Sequence, residues 1–170
     1  MPPRPPTTAS QDPPTIHVEV SDLQSHLDVD PGSLAALAAL VLRLEGVERA
    51  SISIALVDDA AIHELNRRHL SHDWPTDVIT FGLSGPGADI LEAELVVSAE
   101  MAVTTARASG DDPDTELVLY VVHGLLHLRG YDDHSQDEVA AMRRREAEVL
   151  ALLATADSDS EPSAGRGGRR

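Results

Sequence analysis

The order in which short β-type runs and glycine-stopped helical runs follow one another is the feature that most restricts how this chain can fold. Thr15-Ile16-His17-Val18-Glu19-Val20 and Ser51-Ile52-Ser53-Ile54-Ala55-Leu56-Val57 alternate as half-buried strands do. Between them, residues 33–45 form an Ala/Leu-rich run of helical character that ends at Gly46. Asp58 or Asp59 is then placed to cap a helix reaching about His69. Val78-Ile79-Thr80-Phe81 and Glu94-Leu95-Val96-Val97 are β-type runs joined by a loop containing Gly and Pro, which predicts neighbours in one sheet. Two helices follow, over residues 98–109, stopped by Gly110, and 114–128, stopped by Gly130. Ser135-Gln136-Asp137-Glu138 is a capping-box pattern opening a last helix, with Val139, Met142, Val149, Leu150 and Leu153 along one side. Four strands and about five helices with no internal repeat predict an α+β fold, in which a roughly four-stranded mixed sheet packs against about five helices. A solenoid or a doubly wound sheet fits this order less well.

The 170 residues suit one domain. Residues 1–14 are rich in Pro, Thr and Ser, and residues 155–170 hold almost nothing to bury, so both ends are expected to be disordered tails around a folded domain at 15–154. The chain has no cysteine, which removes disulfide scaffolds, cysteine-ligated zinc and thiol catalysis together. Histidine and carboxylate remain as metal ligands. The formal charge is −16, from 13 basic and 29 acidic residues, and every basic residue is arginine. That balance argues against a general nucleic-acid coat protein, whose affinity comes from neutralising phosphates, but permits a local site for one RNA. With no apolar stretch of a secretory signal at the N-terminus and no run long enough to span a bilayer, the chain reads as soluble, cytoplasmic and without a membrane partner.

The chemistry concentrates in His123-Gly124-Leu125-Leu126-His127-Leu128-Arg129-Gly130-Tyr131-Asp132-Asp133-His134. Residues four apart share a helix face, so His123 and His127 can point at one ion. Gly130 ends the helix by accepting a left-handed backbone, and the turn can return His134 as a third ligand. Three neutral imidazoles leave one coordination position for water, as in a catalytic zinc site. Such a water has its pKa lowered to about 7. Zinc proteases place a glutamate directly after the first histidine, where this chain has Gly124, so peptide hydrolysis by that route lacks its base. The missing side chain at Gly124 is read instead as room for a bulky phosphodiester.

At these residues the chain resembles the YbeY family of bacterial endoribonucleases and rRNA maturation factors. The similarity extends to Leu65-Asn66 and to Pro75-Thr76-Asp77-Val78-Ile79-Thr80-Phe81, and runs over about residues 50–150. The resemblance implies an α+β fold with a four-stranded sheet and a zinc-dependent endoribonuclease that cuts single-stranded RNA, acting in 16S rRNA 3′-end processing and 70S ribosome quality control. It implies one zinc ion on His123, His127 and His134, with the ribosome, its small subunit and ribosomal proteins as partners, and no DNA. Three departures stand out. His127 and His134 have six residues between them where the family pattern has five, which makes Asp133 a reserve ligand. Leu70 stands where the family carries an arginine, leaving Arg67 or Arg68 to reach the same phosphate from a neighbouring turn. Ala93-Glu94-Leu95 replaces a Gly-Asp-Ile segment, with Glu94 either in the acidic role or simply outward on its strand.

Among the remaining polar residues, Asp77 either orients a ligand or water or caps its own turn. Asp132 and Asp133 are candidates for general base by proximity alone. Trp74 is a rim or core residue before it is a stacking platform, because only 2% of the chain is aromatic. His63, His69 and His72 read as helix-surface or loop residues outside the site. Arg143, Arg144 and Arg145 point in successive directions around a helix and cannot share one groove. The leading function is metal-assisted cleavage of RNA; the alternative is a noncatalytic, metal-stabilised ribosome assembly factor.

Overall fold

The structure is a computed structural model and describes residues 13–70 and 76–159. Its elements are β1 (Thr15–Asp22), α1 (Pro31–Leu44), β2 (Arg49–Val57), α2 (Asp59–His69), β3 (Val78–Gly82), β4 (Leu91–Ser98), α3 (Ala99–Ser109), α4 (Pro113–Leu128) and α5 (Gln136–Asp159). The sheet order is β1-β2-β4-β3. β1 pairs parallel to β2 and β2 parallel to β4, whereas β3 runs antiparallel to β4, with Ile79 opposite Val96. The four-stranded mixed sheet, five helices and the β3–β4 pairing expected from the sequence are present.

Alternation along the strands sorts the core onto two faces. Ile52, Ile54 and Leu56 of β2 and Ala93, Leu95 and Val97 of β4 point to one face, where Leu34, Ala38, Val41 and Leu42 of α1, Val121, Leu125 and Leu126 of α4, and Met142, Val149 and Leu153 of α5 cover them. Val57, Ile79 and Val96 point the other way and meet Ile62 of α2, with Leu65 and Phe81 beside them. Each fully buried Leu or Ile contributes on the order of 1.5–3 kcal/mol, so the larger face carries most of the stability.

Side-chain caps set the helix starts. Asp30, Asp58, Ser98 and Asp112 accept from the backbone N–H of Ser33, Ala61, Met101 and Thr115. The capping box of α5 is formed in both directions: Ser135 N–H donates to Glu138 Oε2 at 2.8 Å, and Glu138 N–H donates to Ser135 Oγ at 3.2 Å. Residues 155–159, read from composition as the start of a tail, continue α5. Residues 1–12 and 160–170 of the expected tails, together with His72, Trp74 and Pro75, lie outside the described residues. Among the described residues, no helix is long and apolar enough to cross a membrane.

Candidate metal centre

α4 is the helix that builds the site. Leu117, Val121, Leu125 and Leu126 are buried among its neighbours, which turns His123 and His127 together toward its open side. Their Nε2 atoms stand 2.9 Å apart and the rings meet edge to face at 4.6 Å. Nitrogen ligands at about 2.0–2.1 Å from one tetrahedral zinc lie about 3.3 Å from each other, so this pair needs only a slight spreading to share an ion.

The helix then closes as the glycine predicts. Gly130 adopts φ 90°, its N–H donates to the His127 carbonyl at 3.1 Å, and Tyr131 N–H returns to the Leu126 carbonyl at 3.2 Å. The reversed chain brings Asp133 Oδ2 to 4.0 Å from His123 Nε2. Donor atoms of His123, His127 and Asp133 all lie within 4.8 Å of one another, a set that can hold a metal ion. His134, one residue further on, is 82% exposed and faces Asp132 Oδ1 at 3.2 Å. It joins Asp132 and Asp133 in a second such group. Asp133, and not His134, is therefore the loop residue grouped with the histidine pair.

The centre opens on a cavity of about 650 Å³ lined by Leu70, Thr76, Asp77, Thr80, His123 and His127, together with the 132–134 loop. A second cavity of about 430 Å³ shares Asp77, His123 and Asp133 with the first and adds Glu116, Tyr120, Arg143 and Glu146. A groove of similar size between α1, α4 and α5 lies away from these histidines and has no part in the centre.

Glu146 of α5 is the residue that sequence reasoning missed. Its Oε1 stands 2.5 Å from His123 Nδ1, and its side chain is only 14% exposed. The bond to Glu146 raises the His123 pKa above the ordinary histidine value, more than burial lowers it; the charges of Asp77 and Asp133 act in the same direction as Glu146. A signal was present: Glu146 falls between the buried Met142 and Val149 at helical spacing, a carboxylate on an apolar stripe.

Asp77 fills its own turn, accepting from Val78 N–H at 2.8 Å and Thr76 Oγ1 at 3.1 Å, while it borders both cavities. Arg67 and Arg68 both reach Glu64, at 2.8 and 2.6 Å, and line neither cavity; Leu70 does, 47% exposed. Of the three consecutive arginines, Arg145 is bound to Glu45 and Glu148, Arg144 is exposed, and Arg143 borders the cavity beside His123. His69 packs its ring edge on Phe81, and Glu94 is an exposed strand residue opposite Phe81.

The expectation that Gly124 makes room for substrate is corrected. A Cβ there would meet Leu95 Cδ2, Thr80 Oγ1 and Val78 Cγ2 at 2.9–3.1 Å, all on β3 and β4. One residue along a helix turns the side chain by about 100°, so the neighbour of His123 faces the sheet, and its missing side chain lets α4 sit close to the strands.

Fold and centre together define a class: a small α+β protein with a histidine–carboxylate group, able to hold a metal ion, at the C-terminal end of a core helix. The chain belongs to the endoribonuclease YbeY family, hydrolases acting on RNA, and matches it over residues 19–154. It is 43% identical over 138 residues to the endoribonuclease YbeY of Rhodopirellula baltica, covering 76% of this chain and 70% of that one. The Pelotomaculum thermopropionicum relative is 40% identical over 146 residues, covering 80% and 96%. A Thermotoga maritima protein solved in solution shares the fold, with a TM-score of 0.54 and 23% identity over 89% of this chain and all of that one.

Proposed function

We propose that this chain is a zinc-dependent endoribonuclease specific for single-stranded RNA, acting in the cytoplasm on the 3′ end of precursor 16S rRNA and in quality control of 70S ribosomes. The observation that carries the proposal is the facing pair of Nε2 atoms, 2.9 Å apart, at the wall of a cavity of about 650 Å³. Family membership supplies the substrate class: the relatives are named as endoribonucleases. The ribosome, its small subunit and ribosomal proteins are the proposed partners.

In this proposal His123, His127 and His134 hold the ion. His134 is exposed and faces Asp132 Oδ1 at 3.2 Å, so taking the third position requires its ring to turn away from that carboxylate. A zinc ion held there would supply a Lewis acid for a phosphate oxygen and lower the pKa of water beside it. Asp133 Oδ2, 4.0 Å from His123 Nε2, is placed to take a proton from the attacking water. Arg143, at the edge of the adjoining cavity, offsets charge that grows on the phosphate; Arg67 and Arg68 serve there only if phosphate displaces Glu64. Asp77, fixed by its own turn, holds a negative charge toward His123 and keeps the site selective for cations.

The second proposal, a noncatalytic assembly factor stabilised by metal, draws on Leu70, an exposed apolar residue at the cavity where the family arginine is expected. The test is zinc-dependent cleavage of a single-stranded RNA by the wild type and a folded His127→Ala variant. Cleavage lost in the variant places the chemistry at this centre. A wild type inert at one equivalent of zinc supports the assembly factor.

A further inference from the structure

We infer that Glu146 is a positioning residue that fixes His123 as an Nε2 donor, and so presets the metal centre before any ion arrives. The inference rests on the metal centre proposed above. It starts from burial: the Glu146 side chain is 14% exposed, and a carboxylate removed from water is costly unless it accepts a strong hydrogen bond. His123 Nδ1, at 2.5 Å, is that partner.

A neutral imidazole carries its one proton on either ring nitrogen. The Glu146 carboxylate only accepts, so the proton is drawn to Nδ1, and the lone pair is left on Nε2. That Nε2 faces His127 Nε2 at 2.9 Å and Asp133 Oδ2 at 4.0 Å, the direction in which a metal has to lie. One contact across two helices therefore selects the tautomer, the ring orientation and the donor atom together. Carboxylates that orient a ligand histidine in this way also raise its basicity as a donor.

A purely structural role, joining α4 to α5, is already filled by apolar packing. Met142 and Val149, on the same side of α5 as Glu146, are buried in the core with Val121, Val122 and Leu125 of α4. An ionised carboxylate adds little to that seam, whereas it matters directly to the ring it touches.

The test uses the full chain and three proteins: wild type, Glu146→Gln and Glu146→Asp, the last keeping the charge but withdrawing it by one methylene. Zinc affinity is measured by competition with a chromophoric chelator, and the His123 tautomer by side-chain nitrogen shifts in the metal-free protein above the histidine titration. Glu146→Gln is expected to weaken zinc binding about 10–100-fold and to lose the preference for a proton on Nδ1, with the fold intact. Glu146→Asp is expected to fall between the two, and it carries the test if Glu146→Gln does not fold. Zinc affinity within about twofold of wild type, with an unchanged tautomer, overturns the inference and leaves Glu146 a structural residue. A wild type that binds no zinc overturns the metal centre instead, and the tautomer still decides what Glu146 does to His123.

Discussion

A Cβ on Gly124 would stand 2.9 Å from Cδ2 of Leu95, closer than side-chain carbons approach. Leu95 is fully buried on β4 and has no space to withdraw, whereas Thr80 and Val78, at 3.1 Å on the other sides, are half-buried at the edge of the larger cavity. Replacing Gly124 by Ala adds helix propensity of about 1 kcal/mol but overpacks the α4–sheet seam, at about 1–3 kcal/mol. The expected outcome for Gly124→Ala is a small net loss of stability in urea denaturation. Gly124→Leu is expected to destabilise the fold far more, because the Cβ alone already stands 2.9–3.1 Å from Leu95, Thr80 and Val78 and leucine adds three further carbons. A Gly124→Leu protein as stable as wild type would show that the seam opens.

Zinc affinity and cleavage separate two roles in the 132–134 loop. His134→Ala, removing a proposed ligand, is expected to weaken zinc binding about 100-fold or more, as loss of a first ligand exceeds the 10–100-fold cost of losing its supporting partner. Asp133→Asn is expected to leave zinc binding near wild type and slow cleavage about 100–10,000-fold, the contribution of a general base. Chelator competition and RNA cleavage on the same preparations measure both. The reverse pattern would make Asp133 the third ligand, in keeping with its present distance from His123.

Arginine variants ask which cation meets the phosphate. Arg143→Ala is expected to lower kcat/KM about 10–100-fold, the worth of a hydrogen bond to a charged group, with no change in zinc affinity. A double Arg67→Ala, Arg68→Ala variant is expected to change kcat/KM less, since both arginines are engaged with Glu64. Steady-state kinetics on one short RNA decides, and a larger loss in the double variant would move the phosphate to α2.

Asp30 gives a pH dependence whose sign is set by its cap. Its pKa is lowered, first by the Ser33 hydroxyl and then by the Ser33 backbone N–H, so the ionised form is favoured in the folded chain. A depressed folded pKa contributes stability above the unfolded carboxylate value and loses it as pH falls through the folded one. Asp30→Asn, which caps without titrating, is expected to show a shallower stability loss on acidification below about pH 4, read by urea midpoints at several pH values. Parallel curves for the two proteins would mean the cap charge does not matter.

How much was legible follows the range of each interaction. The helix starts at Asp58, Ser98 and Ser135, and the stops at Gly110 and Gly130, depend on hydrogen bonds within a few residues, and the structure makes those bonds. The two-faced strands are equally local, because side chains alternate with a period of two wherever the strand lies. The His123–His127 pair needs only the helical repeat.

What the amino-acid order determined by itself, then, is the set of elements, the caps that open α2 and α5 and the histidine pair four residues apart, since each depends on backbone geometry that repeats over one or two turns. Tertiary structure decided the rest. It placed Glu146 of α5 against His123, set Asp133 ahead of His134 at the histidines, turned Gly124 onto β3 and β4, and bordered the neighbouring cavity with Arg143. These outcomes depend on which helix face packs against which sheet face. Packing joins residues far apart in the chain, so neither spacing nor composition carries it.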